Sequence, residues 1–185
     1  MNIQDISESA IKSLYEKQRQ KRWQIANSSS DQRLEKLRQL KTAVLRHTPE
    51  IQQALYQDFK KPLRETEITE ILPTLEEINV ALANLSSWMK PQRIKTPLTL
   101  FGGKYQLQNQ ARGLCLILSP WNYPFQLTMA PLVAAIAAGN CVILKPSEKT
   151  PHTSQLMKKI LDELFQPDEI CLLLDEKPDA SLAKA

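Results

Sequence analysis

The spacing of apolar residues predicts that the first hundred residues are helical. Isoleucine, leucine and valine recur every three or four positions over residues 3–22, 31–47 and 63–89, which is the period of an amphipathic helix. Pro49 can open a further helix between the second and the third of these segments. Pro73 interrupts the last segment, so either the helix kinks there or a new helix begins.

Local signals refine the ends and inner faces of these helices. Ser28 and Asp31 fit a capping box at the start of the second helix. In the helix that follows Pro49, the spacing predicts that Tyr56 and Phe59 point inward with the aliphatic residues. The apolar faces of these helices indicate a packed helical layer and carry no information about chemistry.

The pattern changes near residue 100, where strand signals begin. The predicted strands are 104–109, 114–118, 141–144 and 170–174. Residues 125–138 are apolar nearly all round, which predicts a buried helix, and Gly139 fits its left-handed C-terminal stop. Thr150 can cap a second helix with Pro151 in its first turn. A last helix is predicted to start near residue 179.

These elements predict an α/β fold in which an N-terminal helical layer precedes the first half of a Rossmann-like parallel sheet that is incomplete at the C-terminus. The apolar runs at 114–118 and 141–144 are continuous, as in strands that a parallel sheet buries on both faces. With the helix between them they form a strand–helix–strand unit of the usual length.

Composition and charge exclude several classes of function. The chain has 42% hydrophobic and 24% charged residues and a net charge of +4, with basic residues dispersed among acidic ones, so we expect no nucleic-acid partner. The first twenty residues lack the apolar core of an export signal, and the longest apolar run, 129–138, is too short for a transmembrane segment. We therefore expect a cytoplasmic protein.

The three cysteines all lie in predicted strands. Cys115, Cys141 and Cys171 sit in apolar runs without metal-ligand spacing, and the two histidines are far apart in the sequence. A nucleophilic thiol needs an electropositive, partly exposed setting, which the middle of a strand does not supply. We expect buried thiols and no metal site.

Two turns could carry chemistry, because both follow parallel strands at the sheet edge where ligands bind. In the first, Trp121, Asn122 and Tyr123 lie between two prolines, and the Asn122 amide could donate a hydrogen bond to an oxyanion. In the second, Lys145 and Glu148 flank a proline and could address one polar ligand. The alternatives are an ordinary turn for the first segment, and a surface ion pair or a helix cap for the second. The glycine-rich fingerprint of dinucleotide sites is absent from the sequence.

The two turns and the helix between them, SPWNYPFQLTMAPLVAAIAAGNCVILKPSE over residues 119–148, closely resemble the aldehyde dehydrogenase superfamily. Earlier segments, DFKKP at 58–62 and WMKP at 88–91, resemble its class 3 branch, which acts on fatty and aromatic aldehydes. The resemblance covers about residues 30–175, so the chain is similar to the N-terminal part of such an enzyme.

The resemblance implies roles for the matched residues. Asn122 corresponds to the catalytic asparagine that helps to hold the oxyanion, and Tyr123 lies by the substrate channel. Cofactor contacts to NAD or NADP are implied for Trp121, Lys145, Pro146, Ser147 and Glu148. The implied reaction oxidises a small-molecule aldehyde to a carboxylate: a cysteine thiolate attacks the carbonyl, hydride passes to the nicotinamide, and water activated by a glutamate hydrolyses the thioester.

The same resemblance implies a division of the chain. Residues 1–103 would be helices that pack on the cofactor domain, 104–112 a strand of a bridging or oligomerisation hairpin, and 113–185 the first part of an NAD(P)-binding α/β domain. The family's nucleophilic cysteine, general-base glutamate and catalytic domain would lie beyond this chain, which should therefore be inactive alone. The full-length family implies a homodimer.

Two alternatives differ in class from this hypothesis. The chain could be a non-catalytic module that retains a degenerate nucleotide site or pairs with a full-length subunit. It could also derive from an enzyme of the same superfamily with another substrate, such as a semialdehyde dehydrogenase or an acyl-transfer dehydrogenase.

Overall fold

The computed structural model describes residues 8–94 and 103–174. The helices in these ranges are α1 (Glu8–Ala26), α2 (Ser30–Arg46), α3 (Thr48–Phe59), α4 (Leu63–Thr66), a π-helical turn (Glu67–Ile71), α5 (Leu72–Trp88), α6 (Pro124–Ala138) and α7 (Pro151–Leu164). The strands are β1 (Gln92–Arg93), β2 (Gln106–Leu107), β3 (Leu114–Leu118), β4 (Cys141–Lys145) and β5 (Ile170–Leu172). The α/β fold class predicted from the sequence is confirmed, whereas the helix predicted near residue 179 lies outside the described residues.

The first two helices differ from their predicted ends. Helix α1 continues to Ala26, and the capping box of α2 is formed by Ser29 and Gln32, so the prediction of Ser28 and Asp31 is wrong by one position. Ser29 Oγ accepts a hydrogen bond from the Gln32 N–H at 3.2 Å, and the Gln32 side chain accepts one from the Ser29 N–H at 2.9 Å. The Ser28 hydroxyl instead donates to the Ile25 carbonyl at the end of α1.

The end of α3 also departs from the prediction. Tyr56 and Phe59 are exposed rather than buried, and each ring lies beside a lysine ammonium group: that of Lys60 is 4.8 Å from the Tyr56 ring and that of Lys61 is 5.6 Å from the Phe59 ring. The inward prediction fails because α3 buries only the narrower face that carries Ile51 and its neighbours.

A π-helical turn, Glu67–Ile71, precedes Pro73, and the backbone stays helical where this turn joins α4 and α5. Pro73 occupies the first turn of α5, a position that suits a residue without an N–H. The Thr74 hydroxyl donates to the Glu70 carbonyl at 2.7 Å, so Glu70 is held within this turn.

The parallel sheet has the strand order β3-β4-β5. Residues 141–144 of β4 are buried, as predicted. Strand β3 is different: Ile117 is 8% exposed, whereas Leu116 and Leu118 are 64% and 70% exposed. Because successive residues of a strand face opposite sides, Ile117 lies on a covered face while Leu116 and Leu118 lie on the other, and the prediction that β3 is buried throughout is wrong. Strand β5 is also shorter than predicted.

Helix α6 lies at the centre of the molecule. It contacts helices α2, α5 and α7 and strands β3 and β4, which explains why its sequence is apolar nearly all round. Gly139 ends the helix at φ 80°, as predicted, and a side chain there would meet the guanidinium of Arg33. Within residues 8–94 and 103–174, no helix has the length and apolar character needed to cross a membrane.

The predicted strand at 104–109 is only a two-residue segment in the structure. Strand β2 pairs antiparallel with β1, with Gln92 opposite Leu107 and Arg93 opposite Gln106. The assignment of residues 104–112 to a bridging hairpin, and the domain division around it, remain predictions.

Candidate functional site

The two predicted site segments start side by side at one edge of the sheet. Strands β3 and β4 are parallel with Leu118 opposite Lys145, so the loop at 119–123 and the turn at 146–150 leave the sheet together. The Ser119 N–H donates to the Lys145 carbonyl at 3.3 Å, which joins the two segments directly. This is the carboxyl edge of the strands, as predicted.

The loop at 119–123 presents three predicted site residues to solvent. Trp121, Asn122 and Tyr123 are all exposed, and no hydrogen bond holds the Asn122 carboxamide within the part of the chain that the structure describes. The start of the loop is tied to α6: the Thr128 hydroxyl donates to the Pro124 carbonyl, so it accepts from the Ser119 hydroxyl at 2.6 Å. A carboxamide on a loop held in this way can donate its NH2 to an anionic oxygen without changing its own charge.

A buried carboxylate from the helical layer caps the helix that follows this loop. Glu70 Oε2 accepts hydrogen bonds from the N–H groups of Phe125 at 3.0 Å and Gln126 at 2.9 Å, in the first turn of α6. These are N–H groups that have no partner within the helix, and a negative charge is favourable at this end.

The other oxygen of Glu70 binds a lysine that also contacts the loop. Lys61 Nζ donates to Glu70 Oε1 at 2.6 Å, and both side chains are almost completely buried. The same ammonium group lies 4.2 Å from the centre of the Tyr123 ring, within the range of a cation–π interaction. Burial raises the pKa of the Glu70 carboxyl, while the hydrogen bonds from Lys61, Gln126 and Phe125 oppose that rise.

The second segment is a tight turn between β4 and α7. The Thr150 N–H and hydroxyl both donate to the Ser147 carbonyl at 3.4 Å, and the Lys149 N–H donates to Ser147 Oγ at 3.3 Å. Lys145 is half-buried, Pro146 is buried and Glu148 is exposed.

Polar groups of this turn lie close together. Lys145 Nζ lies 3.4 Å from the Pro146 carbonyl, and Ser147 Oγ lies 3.5 Å from a Glu148 carboxylate oxygen. An ammonium group, a hydroxyl and a carboxylate therefore stand within four residues at the sheet edge, where they could bind the hydroxyls of a sugar. The ammonium of Lys149 lies 5.7 Å from the Trp121 ring and connects this turn to the first loop.

Helix α7 is capped from a distance, and the prediction that Thr150 caps it is wrong. The Thr150 side chain makes no cap hydrogen bond to the helix. Asp58 instead accepts from the N–H groups of His152 at 3.0 Å and Thr153 at 2.9 Å, and also from the Thr153 hydroxyl at 2.6 Å. The Thr150 hydroxyl instead donates to the Ser147 carbonyl.

The cysteines lie in strands, as predicted, and their surroundings disfavour thiolates. Cys141 is fully buried; burial raises the pKa of its thiol to about 11, and the carboxylates of Glu169 and Asp168 add to the effect. Burial also raises the thiol pKa of Cys115 and Cys171. Over the described ranges, no group of histidine, cysteine and acidic side chains could hold a metal ion.

No role was predicted from the sequence for the three residues that hold these segments, Asp58, Lys61 and Glu70, although Asp58 and Lys61 lie in the segment 58–62 that resembles the class 3 branch. One signal was present: Thr66, Glu70 and Thr74 are spaced by four and are all buried, so a polar row runs through an apolar helical region. The partner of Glu70 lies 55 residues away in the chain, and helical spacing does not reveal such a contact.

Comparison with known proteins identifies relatives of this chain. The sequence model of the aldehyde dehydrogenase family matches residues 1–183. The 4,4'-diaponeurosporen-aldehyde dehydrogenase of Staphylococcus aureus is 41% identical over 138 residues, which are 75% of this chain and 30% of that protein. Aldehyde dehydrogenase family 3 member H1 of Arabidopsis thaliana is 38% identical over 138 residues, 75% of this chain and 28% of that protein.

Solved structures share the fold. A substrate-bound Staphylococcus aureus AldH superposes with a TM-score of 0.86 at 35% identity, covering 95% of this chain and 37% of that one. A succinic semialdehyde dehydrogenase from Streptococcus pyogenes, in complex with NADP+ as its cofactor, gives a TM-score of 0.82 at 15% identity and covers 99% and 40%. The chain thus spans about a third of the length of the relatives that it matches.

Proposed function

The chain belongs to the aldehyde dehydrogenase family, and we propose that it supplies the oxyanion donor and part of the cofactor site of an NAD- or NADP-dependent enzyme that oxidises aldehydes to carboxylates. One observation carries the proposal: the hydrogen bond from Ser119 to Lys145 joins the Asn122 loop and the 145–148 turn at one sheet edge. A substrate group at the loop and a nucleotide at the turn would therefore be neighbours.

Asn122 would act on the substrate carbonyl. As a thiolate adds to an aldehyde, negative charge develops on the carbonyl oxygen, and the exposed Asn122 NH2 group would donate a hydrogen bond to it. Tyr123, held by its contact with Lys61, would line the path by which the aldehyde enters. The resemblance of segments 58–62 and 88–91 to the class 3 branch would make a fatty or aromatic aldehyde the substrate class.

The turn after β4 has donors and acceptors that fit the ribose of a nicotinamide nucleotide. Lys145, Ser147 and Glu148 would hold ribose hydroxyls with an ammonium group, a hydroxyl and a carboxylate. Pro146 would fix the backbone between them, and Trp121 would pack against the cofactor from the neighbouring loop. When bound, NAD or NADP supplies the acceptor for the hydride that leaves the substrate.

None of the three cysteines of this chain would be the nucleophile that attacks the aldehyde. All three thiols have raised pKa values and lie in strands β3, β4 and β5, away from the Asn122 loop. A raised pKa keeps a thiol protonated and unreactive at neutral pH. The 185-residue chain should therefore not oxidise aldehyde by itself, while the 145–148 turn would still bind nucleotide. The whole enzyme would be a homodimer, as the resemblance to the family implies.

The first experiment measures NAD(P)H formation from a medium-chain or aromatic aldehyde by the purified chain, alongside calorimetric titration with NAD+ and NADP+. We expect binding without turnover. The double variant Lys145→Ala, Glu148→Ala should weaken binding at least about tenfold, since hydrogen bonds to charged groups contribute about 1.5–3 kcal/mol each.

Lys158→Ala is the matched control, because Lys158 pairs with Asp162 on the flank of α7, outside the proposed site. It should leave nucleotide affinity unchanged. Aldehyde turnover above background would contradict the assignment of the cysteines. Equal nucleotide affinity of the double variant and the unaltered chain would contradict the cofactor site.

A further inference from the structure

Two acidic side chains of the helical layer reach the helices that follow the site segments. Asp58 and Glu70 are fully buried at their side chains. Glu70 binds the first N–H groups of α6, which follows the Asn122 loop, and Asp58 binds those of α7, which follows the 145–148 turn. Each segment thus has its own carboxylate clamp.

Each carboxylate is far in sequence from the N–H groups that it binds. Glu70 is separated from the N–H groups it binds by 55 and 56 residues, and Asp58 from those it binds by 94 and 95. A helix N-terminus is commonly capped by the residue just before it. Here the neighbouring positions, Tyr123 and Thr150, make no cap hydrogen bond, so the placement of both helix starts depends on the helical layer.

The Glu70 clamp extends to the loop itself. Lys61 binds Glu70 on one side and faces the Tyr123 ring on the other, one residue from Asn122. The loop is therefore held at its end by Lys61 and Glu70, and at its start by the hydrogen bond from Ser119 to Thr128. Asn122 lies between these two attachments.

A buried ion pair contributes little to the free energy of folding. Removing two charges from water costs free energy that their attraction only partly offsets, and an apolar pair of the same size often stabilises a fold as well or better. What an apolar pair could not do is accept two backbone hydrogen bonds and contact the Tyr123 ring from the same position. The Lys61–Glu70 pair therefore fits a role in positioning the loop at 119–123.

We propose that Lys61 and Glu70 are positioning residues that fix the loop backbone from which the Asn122 side chain projects, and that Asp58 holds the 145–148 turn independently of them. This inference rests on the proposed function for the meaning of the Asn122 position. Its test needs no cofactor or substrate, so failure of nucleotide binding and failure of the clamp are separate results.

The test is amide hydrogen exchange and NMR relaxation of the 185-residue chain with Glu70→Gln. The amides of Phe125 and Gln126 should exchange at least about tenfold faster than in the unaltered chain, after correction for the change at the Val142 amide in the sheet core, since each loses a charged acceptor. The backbone amide of Asn122 should show increased mobility in the relaxation data.

Asp58→Asn is the matched control, because it removes the other clamp by the same chemical change. It should speed exchange at the His152 and Thr153 amides, whereas the amides of residues 121–123, 125 and 126 should change only as much as the Val142 amide does. A merely structural role would change all these amides together. Faster exchange at 121–126 in Asp58→Asn, or none in Glu70→Gln beyond the change at Val142, would overturn the proposal.

Two Lys61 variants complete the test. Lys61→Arg keeps the cation and should preserve the mobility of the Asn122 amide, whereas Lys61→Met should raise it; equal effects would overturn the role of Lys61. Where Glu70→Gln alone unfolds the chain, the double variant Lys61→Met, Glu70→Gln leaves no unpaired buried charge, and it should release the Asn122 amide in the same way. A double variant whose Asn122 amide stays ordered would also overturn the proposal.

Discussion

Single thiol groups show how local surroundings set reactivity in this chain. Cys141 is fully buried at the start of β4, with the carboxylates of Asp168 and Glu169 close enough to disfavour a second negative charge. Lys21 and Lys36 are paired with these same carboxylates, and their positive charges offset only part of the effect. Cys141 therefore packs in the core as a small apolar side chain.

Alkylation tests this assignment. Because the pKa of Cys141 is raised to about 11, iodoacetamide at pH 8 should modify it far more slowly in the folded chain than in denaturant, as followed by mass spectrometry of the Cys141 peptide. The raised value favours the folded state below the pKa of the unfolded thiol, so the free energy of unfolding should fall as the pH rises through about 9 to 11. Rapid alkylation in the folded chain would contradict the burial of this thiol.

The residues of the site differ in how far the sequence could predict them. Asn122 and Lys145 were predictable because the apolar runs of β3 and β4 are visible in the sequence: Asn122 lies in the loop after β3, and Lys145 is the last residue of β4. Glu70 was not, because the feature that makes it important is its contact with Phe125 and Gln126, and nothing near Glu70 in the sequence encodes that contact.

Among the elements, β3 departs most from what its sequence suggests. Its five apolar residues predict burial on both faces, yet Leu116 and Leu118 are mostly exposed while Ile117 packs against α6. A strand's composition reflects the surfaces that it can cover, whereas its burial depends on neighbours elsewhere in the chain. The same limit explains Tyr56 and Phe59, whose apolar rings lie on the outside of α3.

A matched pair of substitutions tests the two faces of β3. Ile117→Ala should lower the free energy of unfolding of this chain by about 2–4 kcal/mol, since it removes methyl groups from the core. Leu116→Ala, one position earlier, should change it by no more than about 0.5 kcal/mol. Denaturant unfolding followed by circular dichroism measures both. Similar losses for the two variants would show that the outer face of β3 is also packed.

At the scale of the whole molecule, the helical layer and the sheet form one structure around α6. Helices α2 and α5 pack on α6, the sheet packs on its other side, and Asp58 and Glu70 connect the helical layer to both site segments. Periodicity predicted the order of helices and strands, because each element carries its own pattern. The contacts between layers depend on pairs far apart in sequence and had to come from the structure.

Mapping NAD+ onto the 185-residue chain by NMR chemical-shift perturbation tests the proposed cofactor site most directly. The shifts should cluster at residues 145–148 and spread to Trp121 and Asn122. The cavity of about 630 Å³ between α1, α2, α5 and the end of α6, lined by Trp23, Arg33 and Trp88, should be unaffected. Shifts concentrated in that cavity, or no shifts at the sheet edge at saturating nucleotide, would contradict the proposed site.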